Sequence, residues 1–402
     1  MLFLAKMVSL AFGVGFTSCS IELAEPSYEG TQEFHVRVIM KEDPARNAVI
    51  AWTGHSTDSS PSLAYAPKSV ENRTTASVSR SGLYIGHGIS NSSKYTYYHT
   101  ELTDLSPDTM YKFRICQDQQ CSMDYSFKTA PSEGPMKLMF GGDSRSDRDS
   151  RFKMNRVMKY TFTKDESIIA LVHGGDYIDS GSNLKQWFYW LDDHADTTTD
   201  DGRLLPIIPT RGNHENNDSL YKQIFGFPDT SLTYYSSKLP GLNLIVLDTE
   251  ISYSGDQRVW LDDTLSKSSQ DTWILANYHR PAFPAVKSPS AARKQWVPLF
   301  EKYGVDLVFE SDGHAYKQTA PIFQEKINYE SGIIYVGEGG LGVRQRTPDS
   351  SRWYFDDPSA LAIASFNLQI LTITPEKISF LAIDEKAQTI SSFVRKPRVR
   401  NP

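Results

Sequence analysis

The chain has 402 residues, of which 39% are apolar and 22% charged, and it carries a net charge of −6. That length exceeds what one small core needs and points to two domains. A pI near 5.9, with no basic run before the tail at Lys396, Arg398 and Arg400, argues against a nucleic-acid-binding surface.

Taken in order, the first residues read as an export signal, residues 1–19. Lys6 precedes an apolar run from Met7 to Phe16, too short to span a hydrocarbon core of about 30 Å. The small residues ahead of Cys19 resemble a bacterial lipoprotein signal, in which Cys19 becomes the lipidated first residue; plain secretion is the alternative. The chain has three cysteines. Cys116 and Cys121 can pair across a short hairpin, which leaves Cys19 over and favours lipidation. Export would permit such a bridge, whereas in a cytoplasmic chain all three would be free thiols. The expected location is periplasmic or outer-membrane lipoprotein, otherwise secreted. A membrane would be met through the lipid anchor if Cys19 is modified.

From about Thr31 to Ala130 the pattern is all-β. Phe34–Val38 alternates, Ala48–Trp52 reads as a core strand, and Tyr95–Glu101 and Tyr111–Cys116 follow between Ser/Asn/Gly turns. The stretch Leu105–Phe113 resembles the corner of a fibronectin type III or similar β-sandwich, where a tyrosine folds its hydroxyl back onto the turn. The expected boundaries are a sandwich over residues 28–131 and a second domain over 135–395, divided by the turn-rich linker Thr129–Pro135.

After the linker, strands and helices alternate. Strands are predicted at Met136–Phe140, Ile168–Val172, Ile207–Thr210, Leu242–Leu247, Thr272–Ala276 and Val305–Phe309. Helices are predicted at Arg148–Phe162, Leu184–Leu191, Gln257–Leu265 and Ala291–Tyr303. Later β-rich stretches are Ile333–Val336, Ala364–Ile373 and Ile378–Ile383. The alternation argues for packed sheets flanked by helices.

The chemistry lies at the strand ends. Ile168–Val172 delivers Asp176 onto a Gly-Gly turn, and Leu138–Phe140 leads to Gly-Gly-Asp143-Ser-Arg145. Ile207–Pro209 leads to Arg-Gly-Asn213-His214-Glu215, Trp273–Ala276 to Asn-Tyr-His279-Arg280, and Leu307–Phe309 to Glu-Ser-Asp312-Gly-His314. No packing requirement places Asp, Asn or His at these five strand ends. Converging carboxylates, an amide and imidazoles are what a pair of divalent metals needs.

The order GD…GD…GNHE…H…GHxH resembles the calcineurin-type metallophosphoesterases. The preceding β-sandwich, the GNHE loop and the HAY after the last motif are closest to the purple acid phosphatases. The resemblance implies a four-layer α/β/β/α catalytic domain and a two-metal phosphoesterase. It implies Asp143 and His314 on the first metal, Asp176 bridging both, and Asn213 and His279 on the second. His214 would face the substrate as general acid or phosphate donor, oriented by Glu215. The implied mechanism is in-line attack on the phosphorus of a phosphate ester by a hydroxide held on the metals. The expected ions are divalent Mn, Zn or Fe.

This chain departs from the pattern in three places. Where the purple enzymes have a chromophoric tyrosine, three residues after the bridging aspartate, it has Asp179, a second candidate near the metals along with Glu215; Tyr177 stands one residue after Asp176. Arg145 occupies the place of a histidine, and Asp312 replaces the first histidine of GHxH. The histidines used around the leaving group are absent, and Arg280 and Lys287 are offered instead. Arg145 reads either as a phosphate clamp that offsets Asp312 or as an ion-pair partner of Asp179 or Asp312. The alternative to an enzyme is a cell-surface binding or adhesion module that keeps the phosphatase fold with impaired catalysis.

Overall fold

The computed structural model describes residues 25–398 apart from 30, 32, 57–59 and 217; the export signal with Cys19 and the end of the tail lie outside the described residues.

Two sheets build the N-terminal part. One holds Glu33–Ile39, Ala48–His55, Tyr95–Leu102 and Arg80–Leu83. The other holds Thr74–Ser77, Ser62–Pro67, Met110–Gln117 and Gln120–Cys121, with Tyr125–Lys128 on Met110–Gln117. Alternate side chains from both, among them Trp52, Leu63, Phe113 and Phe127, bury into one core, as a β-sandwich requires. The Tyr111 hydroxyl accepts from the Ser106 amide at 2.9 Å, closing the corner. A disulfide joins Cys116 to Cys121 across the hairpin.

The linker does not separate the two parts into free bodies. Ile39 pairs in parallel with Ile207, and the Met40 amide adds a bond to the Ile207 carbonyl at 2.9 Å. One ten-stranded sheet therefore runs from the sandwich into the part that follows the linker. There its parallel members are Met136–Gly141, Ile168–His173 and Ile207–Pro209, flanked by antiparallel Leu368–Ile373, Ile378–Ile383 and Thr389–Arg395.

A second, seven-stranded sheet carries Leu242–Val246, Trp273–Asn277, Leu307–Glu310 and Ile334–Gly337 in parallel, with shorter antiparallel strands at its edges. The sequence explains why both sheets are covered on both faces. Leu138 and Phe140 point to the facing sheet while Met139 points to helix Arg148–Lys164. Leu244 and Val246 likewise face inward while Ile245 and Leu247 meet the helices on the far side. Continuously apolar strands are the signature of sheets buried on two sides. The Phe140 and Phe309 rings stack across the gap at 3.7 Å.

Most predicted elements are present within two or three residues. The helix expected over Ala291–Tyr303 is instead two, Ala292–Gln295 and Val297–Tyr303, broken at buried Trp296. Pro298 lacks the N–H and crowds the carbonyl one turn back, so a continuous helix cannot form. Strands Tyr235–Leu239 and Thr389–Arg395 and helix Asp218–Phe225 lie outside the predicted set. Among the described residues no helix is long and apolar enough to cross a membrane.

Candidate metal centre

The parallel strands of both sheets end at the same edge of the molecule, and the loops leaving them meet there. Asp143 N donates to the Gly175 carbonyl at 2.9 Å and Ser144 N to the Asp176 carbonyl at 3.0 Å. The sheets are tied across the gap as well: Asp312 N donates to Asp143 Oδ2 at 2.8 Å. Asp143, Asp176, Asp312 and His314 all adopt left-handed backbone, with φ between 55° and 71°. Non-glycine residues held there cost roughly 1–3 kcal/mol each, and such strain concentrates at functional sites.

The side chains converge. Asp143, Asp176, His279 and Asp312 are buried, with one ligating atom from each within 4.8 Å of the others. His314 Nε2 stands 3.3 Å from Asp143 Oδ1, and His279 Nε2 lies 3.1 Å from Asn213 Oδ1. All six sequence-predicted ligands thus form one connected cluster. His279 Nδ1 is 2.8 Å from the Gly174 carbonyl; donation there leaves Nε2, 3.2 Å from Asp176, as the ligating nitrogen.

Charge is concentrated here. Burial pulls the His279 pKa down, but Asp176, Asp312 and Asp143 outweigh it and raise it well above the ordinary imidazole value. Burial pushes the Asp312 carboxyl up, while His279 and Lys287 bring it down to about 2. Asp143 Oδ1, Asp176 Oδ2 and His314 Nε2 are buried without a hydrogen-bond partner. Unmatched acceptors in a buried, acidic cluster are costly unless a cation answers them. The donor set therefore fits divalent ions: Asp143, Asp176 and His314 would hold one, and Asp176, Asn213, His279 and Asp312 the other.

Other expected residues take different roles. Glu215 does not orient His214. Its carboxylate accepts from the amides of Asp176 (2.8 Å), Tyr177 (2.9 Å) and Gly212 (2.9 Å), so it fixes the loop that presents Asp176. The His214 ring is instead set by the Asp179 carbonyl, 2.7 Å from Nδ1, with Nε2 3.8 Å from Asp176. Tyr177 is fully buried and stacks on His173 at 3.9 Å.

Arg145 pairs with the Asp179 carboxylate through Nη1, while its Nε reaches Asp176 Oδ2 at 3.3 Å. It thus joins the ion-pair partner to the cluster's open edge. The charge of Asp312 is answered by another residue, Lys287, whose ammonium contacts Oδ1.

Some residues of the site carried no assignment from the sequence. Arg151, buried on Asp193, donates to the carbonyls of Ser144 (2.6 Å) and Arg145 (2.8 Å) and so shapes the Asp143 loop. Gly339, at φ 85°, lies so close that a Cβ there would collide with Asp143 Oδ2. Glu338, wholly buried at φ 87°, donates its amide to the Glu310 carbonyl, and its carboxylate accepts from the Ala285 amide near the site. The available signal was the Gly-Glu-Gly-Gly run after strand Ile334–Gly337, a sixth strand end of the same kind as the other five.

Comparison with known proteins agrees with this geometry. The family profile described as calcineurin-like phosphoesterase matches residues 142–316. The one described as the purple acid phosphatase N-terminal domain matches residues 34–129, so the sandwich is of that type. The chain is 27% identical over 325 residues to probable purple acid phosphatase 20 of Arabidopsis thaliana, covering 69% of this chain and 72% of the relative. It is 24% identical over 322 residues to Arabidopsis purple acid phosphatase 15, covering 66% of this chain and 57% of that protein. An uncharacterised Mycobacterium tuberculosis protein is 26% identical over 62% of this chain and 53% of its own length. The chain thus spans roughly half to three-quarters of these relatives. The solved structure of a yellow lupin purple acid phosphatase superposes with a TM-score of 0.77 at 16% identity, over 91% of this chain and 75% of that one. That of PhoD superposes with a TM-score of 0.65 at 12% identity, over 93% of this chain and 95% of that one.

Proposed function

We propose that this chain, which carries a calcineurin-like phosphoesterase domain behind a purple acid phosphatase N-terminal domain, hydrolyses phosphate esters at a two-metal centre. The observation that carries the reading is the convergence of Asp143, Asp176, Asn213, His279, Asp312 and His314 at one edge of two sheets, with three of their buried polar atoms lacking a hydrogen-bond partner. Two divalent ions held there supply Lewis acidity toward the phosphoryl oxygens and offset their charge.

The chain's own residues do the rest. The Glu215 carboxylate and the Gly174 carbonyl hold Asp176 and His279 in place before any substrate arrives. His214, partly exposed at the mouth with Nδ1 donating to the Asp179 carbonyl, would in its doubly protonated form give the Nε2 proton to the leaving oxygen. Arg145 stands between Asp176 and Asp179, from where its guanidinium would contact an entering phosphate. The adhesion-module reading loses its main support, because the altered position Asp312 still contributes to the cluster. Export is part of the proposal; the Cys116–Cys121 disulfide supports an oxidising compartment.

The test is metal analysis of purified protein together with hydrolysis of a panel of phosphomonoesters and diesters. Metal-dependent turnover of at least one class is expected. Two bound ions with no turnover of any ester would overturn the reading.

A further inference from the structure

The loop after ligand His279 runs Arg280-Pro-Ala-Phe-Pro-Ala-Val-Lys287, and two prolines leave it few amides of its own to pair. Three buried charged residues satisfy it. Glu310 accepts from Ala282 N at 2.6 Å, and Glu338 accepts from Ala285 N at 2.6 Å. Lys317 donates to the Phe283 carbonyl at 2.6 Å and pairs with Glu310, with Glu338 at 3.7 Å. Lys317 and Glu338 are wholly buried and Glu310 nearly so. Buried charges are tolerated only when fully paired and hydrogen-bonded, and here those bonds converge on one loop.

That loop delivers Arg280 and Lys287 to the wall of a cavity of about 510 Å³, bordered also by Thr249, Glu250, Tyr253 and the metal-cluster residue Asp312. Arg280 is balanced by a two-point pair with Glu250, at 2.7 and 3.2 Å. Lys287 is balanced by Asp312. A cation held by Asp312 would take up the charge that now answers Lys287 and would leave that ammonium as the unbalanced charge of the wall.

Resting on the phosphoesterase reading, we infer that this cavity receives the leaving group of the ester and that Lys287 selects leaving groups bearing a second anionic group, a carboxylate or another phosphate. The selection is a charge-assisted contact at a half-exposed site, which is worth about tenfold in discrimination.

The experiment compares 4-carboxyphenyl phosphate with its uncharged counterpart, 4-carbamoylphenyl phosphate, as a ratio of kcat/KM within each protein. The wild-type enzyme is expected to favour the carboxylate about tenfold, Lys287→Met to lose that preference and Lys287→Arg to retain it. No preference in the wild type, or a preference that survives Lys287→Met, overturns the inference. If neither ester turns over in metal-loaded protein, the wider panel of monoesters and diesters decides the function reading, and calorimetry tests the cavity by itself with 4-carboxybenzylphosphonate and its carboxamide. Tighter binding of the carboxylate that disappears in Lys287→Met supports the inference; equal binding of the two overturns it.

Discussion

Asp176 is the residue on which most of the site's contacts meet: His279 at 3.2 Å, Arg145 at 3.3 Å and the His214 amide at 3.0 Å all address its carboxylate. Asp176→Asn removes the negative charge and leaves one oxygen to serve two cations, so hydrolysis of an aryl phosphate is expected to vanish while the circular dichroism spectrum stays native. Arg145→Ala is expected to lower kcat/KM by about 30- to 1000-fold, the range for losing a charged donor to a transition state, with Arg145→Lys recovering part. An unchanged kcat/KM with a lowered melting temperature would mark Arg145 as a partner of Asp179 alone. The protein is expected to be colourless, because Asp179 replaces the chromophoric tyrosine and the nearby phenol, Tyr177, is sealed against His173. A visible charge-transfer band in the purified protein would contradict this. At this scale the clustered residues were legible, since residue types that do nothing for a core recurred at strand ends. Asp179 was among the partners the sequence offered Arg145 and is the one it meets, but Glu215 and Lys287 found theirs through loops whose paths no local pattern encodes.

At the scale of elements, strands buried on both faces were readable as unbroken apolar runs, and so were their carboxyl ends. Strand Thr389–Arg395 mixes exposed and half-buried residues with none fully buried, and so gave no apolar run to find. The single helix expected over Ala291–Tyr303 failed because its apolar spacing outweighed the signal of Pro298. The Gly-Glu-Gly-Gly turn after Ile334–Gly337 has no ligand, yet its backbone abuts Asp143. Gly339→Ala would place a Cβ against Asp143 Oδ2 at a φ of 85°. It is expected to weaken binding of the ion held by Asp143 and His314 more than that of the other, read as two unequal steps in a calorimetric metal titration. Equal loss at both, or none, would show that the turn does not shape the Asp143 side.

Over the whole molecule, the linker suggested two domains, but pairing of Ile39 with Ile207 depends on residues 168 positions apart and could not be read from either alone. The shared sheet predicts one cooperative thermal transition by calorimetry rather than two. It also predicts acid lability. His99 Nε2 donates to the Gln223 carbonyl at 2.7 Å across the junction, and burial holds its pKa down to about 3. Burial likewise brings His194 down to about 4. Both stay neutral in the fold, whereas the unfolded chain takes up protons below the ordinary imidazole value of 6.5. Their contribution is therefore intact above pH 6.5 and lost progressively as pH falls toward 4. The melting temperature should drop across that window, and His194→Gln should flatten the drop.

The account stands on Asp176 bridging two cations. Elemental analysis of wild-type and Asp176→Asn protein, purified side by side and each assayed on an aryl phosphate, tests it most directly. Two divalent ions per wild-type chain, falling to one or none with turnover lost in the variant, is the predicted result. Two ions and near-wild-type turnover in Asp176→Asn would contradict it.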